Sequence, residues 1–91
     1  MALTGIVVVT GGAGFIGSHI ASALTSSGAR VRILDDLSTG HRENLEEIGG
    51  DFDFAEGSVA DEALLAKVLE DAELVFHEAA IPSVQIGRAH V

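Results

Sequence analysis

The chain has 91 residues, 47% of them apolar and 21% charged, with eleven glycines, one proline and no cysteine. That suffices for one small core and excludes a second domain, a disordered chain, a collagen-like repeat and a disulfide-stapled secreted module; a reducing, cytoplasmic setting fits best. Five basic against fourteen acidic residues leave a net charge of −9, which repels phosphate backbones and anionic lipid and argues against nucleic-acid or membrane-surface partners.

The first apolar run lacks a cationic flank and breaks into glycines within a few residues, so it reads neither as a signal peptide nor as a membrane span. Residues 5–10, GIVVVT, are β-branched and apolar on both faces, which predicts a buried parallel strand. From Phe15 the period changes: Ile16, Ile20, Ala23 and Leu24 recur on one helical face, and Gly28 closes the helix. Residues 30–35 form a second predicted strand, 43–48 a short helix ended by Gly49 and Gly50, and 52–56 a third strand. Residues 61–71 place Leu64, Leu65, Val68 and Leu69 on one helical face, with Asp61 as cap and Ser58-x-x-Asp61 as a weaker capping box. Residues 73–77 are the fourth strand. This strand–helix alternation with short connections and no internal repeat predicts an α/β fold of Rossmann type, a doubly wound parallel sheet carried as far as its fourth strand.

The first strand and helix meet in TGGAGFIG, residues 10–17, which satisfies G-x-x-G-x-x-G through Gly11, Gly14 and Gly17. At such a turn the first glycine takes a backbone angle other residues resist. The second lets the main chain approach a pyrophosphate, and the third lets helix and strand pack closely. The amides of Gly14, Phe15 and Ile16 are then expected to point at the phosphate, helped by the helix dipole. A strand before and a helix after make this a dinucleotide site. A P-loop is excluded, because Ser18 stands where the phosphate-binding lysine is needed. A methyltransferase-type sheet is disfavoured, since it does not need Gly17 for helix packing.

Asp35 ends the second strand eighteen residues beyond Gly17, close to the spacing of the acid that accepts the adenosine ribose hydroxyls. A carboxylate there selects NAD over NADP, and Asp36 adds to the repulsion of a ribose phosphate; Arg42 is a nearby cation that partly offsets it. None of the four histidines has a partner at metal-ligand spacing, so no metal site is expected. The acidic excess on the helices is read as solvated surface.

The segments TGGAGFIGSH, ILDDLSTGHRENL and VFHEAAIPSV resemble the extended short-chain dehydrogenase/reductases, specifically the NAD-dependent sugar-nucleotide epimerases and dehydratases. The middle segment is most similar to the D-N-L-S-T-G stretch of UDP-glucose 4-epimerases. The resemblance covers residues 5–84 and implies that Phe15 and Ile16 contact the pyrophosphate and Asp35 holds the ribose. Asp36, Leu37, Ser38, Thr39 and Gly40 would wrap the adenosine end, and Ser58 and Val59 would meet adenine, although the family often has aspartate at position 58. Ala79, Ala80 and Ile81 match a small-residue turn against the cofactor, with Glu78 replacing the usual apolar residue. The implied chemistry is hydride removal from sugar C4 by NAD and its return to the other face, in an enzyme expected to be a homodimer at full length.

The family's acid/base is a tyrosine in a Y-x-x-x-K pair, yet this chain has no tyrosine and its single lysine is Lys67; no catalytic residue is assigned, and the chain alone is expected to be inactive. It reads as the front part, residues 1–84, of an NAD-binding domain. Residues 86–91, IGRAHV, are what the sequencing-adapter stretch ATC GGA AGA GCA CAC GTC encodes, so residues 85–91 are expected to be read-through. A fourth strand without its fifth neighbour would present a bare apolar edge and an aggregation-prone product. Competing expectations are a nucleotide-sugar dehydratase, a UDP-glucuronate decarboxylase, or a non-catalytic NAD-sensing module.

Overall fold

A computed structural model describes residues 5–38 and 40–79. Its elements run β1 (Ile6–Thr10), α1 (Phe15–Ser26), β2 (Arg30–Asp35), α2 (Arg42–Glu46), β3 (Phe52–Glu56), α3 (Glu62–Val68) and β4 (Ala72–His77). The four strands form one parallel sheet in the order β3-β2-β1-β4. The chain therefore builds outward from β1 to β3 and then crosses back to place β4 on the other side of β1.

The pleat sends alternate residues to the two faces. Phe76, Val9, Ile33 and Phe54 are register partners across the four strands and pack with Ala21 of α1 and with Leu45 and Ile48 beyond β2. On the opposite face Val8 and Leu34 meet Val68, Leu64 and Leu65 of α3. Helices thus cover both faces, as the doubly wound expectation requires.

The helices depart from their predicted faces and limits in instructive ways. In α1 the buried residues are Gly17, Ser18 and Ala21; of the predicted face Ile20 and Leu24 pack against the core, whereas Ile16 is 61% exposed and Ala23 is exposed, so small residues take the positions closest to the sheet. Gly28 ends α1 as predicted, at φ +91°, with its N–H on Thr25 O and the Ala29 N–H on Leu24 O. That pairing is a Schellman closure. α2 starts one residue earlier than predicted and stops at Glu46. In α3 Asp61 is the cap, accepting from the Leu64 N–H at 3.1 Å, while the Ser58 hydroxyl instead accepts from the Ala60 N–H. The helix is shorter than predicted, since Arg32 of β2 reaches over to donate to the carbonyls of Val68 and Glu70, and Asp71 turns the chain at φ +62°. Leu69 is consequently left exposed.

Candidate functional site

The glycine turn leaves β1 at Gly11, whose φ of +74° is open to glycine and strained for other residues. A Cβ there would lie 2.8 Å from the Ala79 nitrogen, so this glycine also lets the segment after β4 close against the turn. A Cβ on Gly17 would fall inside the Gly11 carbonyl oxygen. The third glycine is therefore required by contact between α1 and the turn itself, rather than between α1 and β1.

The amides differ from expectation at one position. The Gly14 N–H donates to Gly11 O at 3.0 Å and is not available to a ligand. Gly14 is the N-cap of α1 and carries no side chain to satisfy the first turn. Among the described residues the N–H groups of Phe15, Ile16 and Gly17 have no partner, so the donor set shifts by one residue toward the helix.

Asp35 is 93% buried, with 7% exposure. Its two oxygens accept from the Ala13 N–H at 2.8 Å and the Leu37 N–H at 2.7 Å. An ionised carboxylate has about four acceptor sites, so both oxygens keep a lone pair for a further donor. Leu37 follows at φ +62°, a strained angle for a branched side chain, and its N–H bond to Asp35 helps to hold it there. Asp36 is fully exposed; the Ser38 backbone N–H, and then the Ser38 hydroxyl, hold its carboxyl below the ordinary carboxylate value. Arg42 does not approach Asp35 as a free cation: it pairs with Glu56 at 3.0 Å and lies over the Phe54 ring.

These pieces enclose a cleft of about 250 Å³ at the carboxyl ends of all four strands, lined by Gly11, Gly14, Leu34, Asp35, Asp36, Ser38, Gly57, Ser58, Val59, Glu78 and Ala79. The structure thus brings together Gly11, Gly14, Asp35, Asp36, Ser38, Ser58, Val59 and Ala79 of the residues singled out from the sequence. Phe15, Ile16, Gly17, Leu37 and Gly40 lie beside the cleft and do not line it, and Thr39, Ala80 and Ile81 lie outside the described residues. The cleft opens where strand order reverses, between β1 and β4, the position at which open α/β sheets bind ligands.

Several contributors had no signal in the sequence. The buried Thr10 hydroxyl meets His77 Nδ1 at 2.7 Å and accepts from the Ala79 N–H at 3.3 Å, and Thr10 O accepts from the Glu78 N–H; it sets the wall of the cleft after β4. Asn44 of α2 reaches back to donate its side-chain N–H to Ala13 O at 2.7 Å.

The model of the NAD dependent epimerase/dehydratase family matches residues 7–89. The chain belongs to that family. Similar members include the UDP-glucose 4-epimerase of Haemophilus influenzae, 38% identical over 84 residues, which span 86% of this chain and 25% of that protein. A UDP-N-acetyl-alpha-D-glucosaminuronate decarboxylase of Bacillus cytotoxicus is 37% identical over 78 residues, 86% of this chain and 24% of that one. In structure, the UDP-glucose 4-epimerase of Brucella ovis, solved in complex with NAD, superposes with a TM-score of 0.72 and 42% identity over 84% of this chain and 23% of its own. The chain spans about a quarter of the length of these family members.

Proposed function

We propose that this chain is the NAD-binding front part of a sugar-nucleotide epimerase. The observation that carries the proposal is the cleft at the sheet switch point, lined by Gly11, Gly14 and the buried Asp35 carboxylate that keeps acceptor capacity, with the partnerless N–H groups of the first turn of α1 beside it. The pyrophosphate rests on the N–H groups of Phe15, Ile16 and Gly17, where the helix dipole is positive and Gly14 leaves room for the backbone to approach. Asp35 accepts the adenosine ribose hydroxyls. Asp36, Leu37, Ser38 and Gly40 border the adenosine end, and Ser58 and Val59 face adenine. Gly11 and Ala79 border the phosphate side.

The cleft volume lies just below the roughly 300 Å³ at which small-molecule sites begin, so these residues fit the adenosine diphosphate portion of a dinucleotide rather than all of it. Asp35 and Asp36 together repel a 2′-phosphate, and Arg42, held by Glu56, does not offset them; this supports NAD over NADP. When bound, NAD supplies a hydride acceptor that takes a hydride from a sugar carbon and returns it. The residues of this chain bind and orient that group and handle no proton, because the sequence lacks tyrosine and Lys67 sits exposed in the last turn of α3.

The tyrosine–lysine pair and the nucleotide-sugar site belong, in this proposal, to the remainder of a longer, cytoplasmic and homodimeric enzyme. A decarboxylase parent is the second reading, favoured by a relative of nearly equal identity. Among the described residues no helix is long and apolar enough to cross a membrane. Calorimetric titration of the 91-residue chain with NAD and NADP tests the proposal: NAD binds more tightly, and UDP-glucose is not converted. Equal affinity for the two cofactors, or no binding, sinks it.

A further inference from the structure

Ala13 is fully buried and lines no part of the cleft, yet both of its backbone polar groups are fixed. Its N–H donates to Asp35 Oδ2 at 2.8 Å. Its carbonyl accepts twice, from the His41 N–H at 3.0 Å and from Asn44 Nδ2 at 2.7 Å. Gly40 presses on the same residue, for a Cβ there would lie 2.8 Å from the Ala13 carbonyl carbon and oxygen.

The peptide unit is planar, so the direction of the Ala13 carbonyl sets that of the Gly14 N–H, and with it the Gly14-to-Gly11 bond and the entry into α1. A dinucleotide has to touch the first turn of α1 with its pyrophosphate and the loop after β2 with its ribose. The relative placement of the two is held at Ala13. Of its three partners, Asp35 is itself a ligand group and His41 acts through its backbone. Asn44 alone contributes a side chain that lines no cleft and makes this one bond.

We propose that Asn44 is a positioning residue for dinucleotide binding, locking the glycine turn to Gly40, His41 and the start of α2. The inference rests on the NAD-binding reading above. An amide N–H is the required group: Asn44→Asp keeps the shape but sets a carboxylate against a carbonyl, and Asn44→Ala leaves the carbonyl to His41 alone.

The test compares the 91-residue chain with both variants, by calorimetry with NAD and by amide hydrogen exchange without it. Asn44→Asp weakens NAD binding about tenfold and Asn44→Ala about threefold. Exchange at the Ala13 and His41 amides accelerates by similar factors, while the Leu65 amide on the far face keeps the parent rate. Two results overturn the proposal with the functional reading intact: variants that bind NAD as the parent does, or acceleration at Leu65 equal to that at Ala13, which marks general loosening. A parent chain that does not bind NAD removes the functional reading, and the positioning role falls with it.

Discussion

The segments that leave β2 and β4 at their carboxyl ends are held by different means. Beyond β2, the loop and the glycine turn are tied by Asp35, His41 and Asn44 through a single buried residue, Ala13. Beyond β4, among the described residues, the N–H groups of Glu78 and Ala79 both bond to Thr10, and β4 pairs only with β1, leaving Leu74 42% and Val75 41% exposed. The β2 side is braced by polar bonds around a buried residue, whereas β4 is, among the described residues, an edge strand with exposed apolar side chains. The difference teaches that the polar brace between the glycine turn and the segment after β2 is built from within the first fifty residues, whereas the segment after β4 rests on a single residue of β1.

Breaking the braced end produces the largest effect. Gly17→Ala drives a methyl group into the Gly11 carbonyl, and we expect a loss of about 3 kcal/mol, typical of backbone overpacking, together with loss of NAD binding, read by denaturant unfolding and calorimetry. Gly49→Ala, with nothing near its Cβ, serves as the silent control. Next in size is Asp35→Ala, which strands the Ala13 and Leu37 N–H groups and is expected to destabilise by about 2 kcal/mol; a melt unchanged from the parent would show that the brace is not structural. Asp61→Ala removes the α3 cap on the opposite face and should lower stability by about 1 kcal/mol while NAD affinity stays at the parent value, separating cap from site.

At the β4 edge the expected sign differs. Val75→Lys changes stability by less than about 0.5 kcal/mol, as exposed positions do, and lowers self-association in sedimentation velocity, because a charge blocks edge-to-edge pairing. Equal association of parent and variant would show that β4 is not the sticky edge. The smallest effect concerns Asp36, whose folded-state pKa lies below the ordinary 3.8. Its contribution is present above the unfolded value and is lost as pH falls from there through the folded value. Thermal melts between pH 5 and 3 should therefore decline slightly less steeply in Asp36→Asn than in the parent.

Most of the architecture was legible because it is written in local periodicity. Residues 30–35 and 52–56 are strands at their predicted limits, Asp61 caps α3 and Gly28 closes α1. Even the cleft was foreshadowed, since glycines at a strand-to-helix turn and an acid at the end of the next strand have few other uses. The mistakes have one origin. Apolar periodicity placed Ile16 and Ala23 on the buried face of α1, but the close approach at Gly17 lets Ser18 and Ala21 take those places. The spacing left Arg42 free, whereas Glu56 of β3 claims it.

What the sequence by itself determined was the alternation of elements, the glycine turn between β1 and α1 and the acid at the end of β2, because each follows from neighbours in the chain. Only the tertiary structure decided which polar groups meet. Asn44 and Ala13 are 31 residues apart, Arg32 and Val68 are 36, and Thr10 and His77 are 67. A hydrogen bond is made by distance and angle, and those are set only once the strands have taken their order in the sheet.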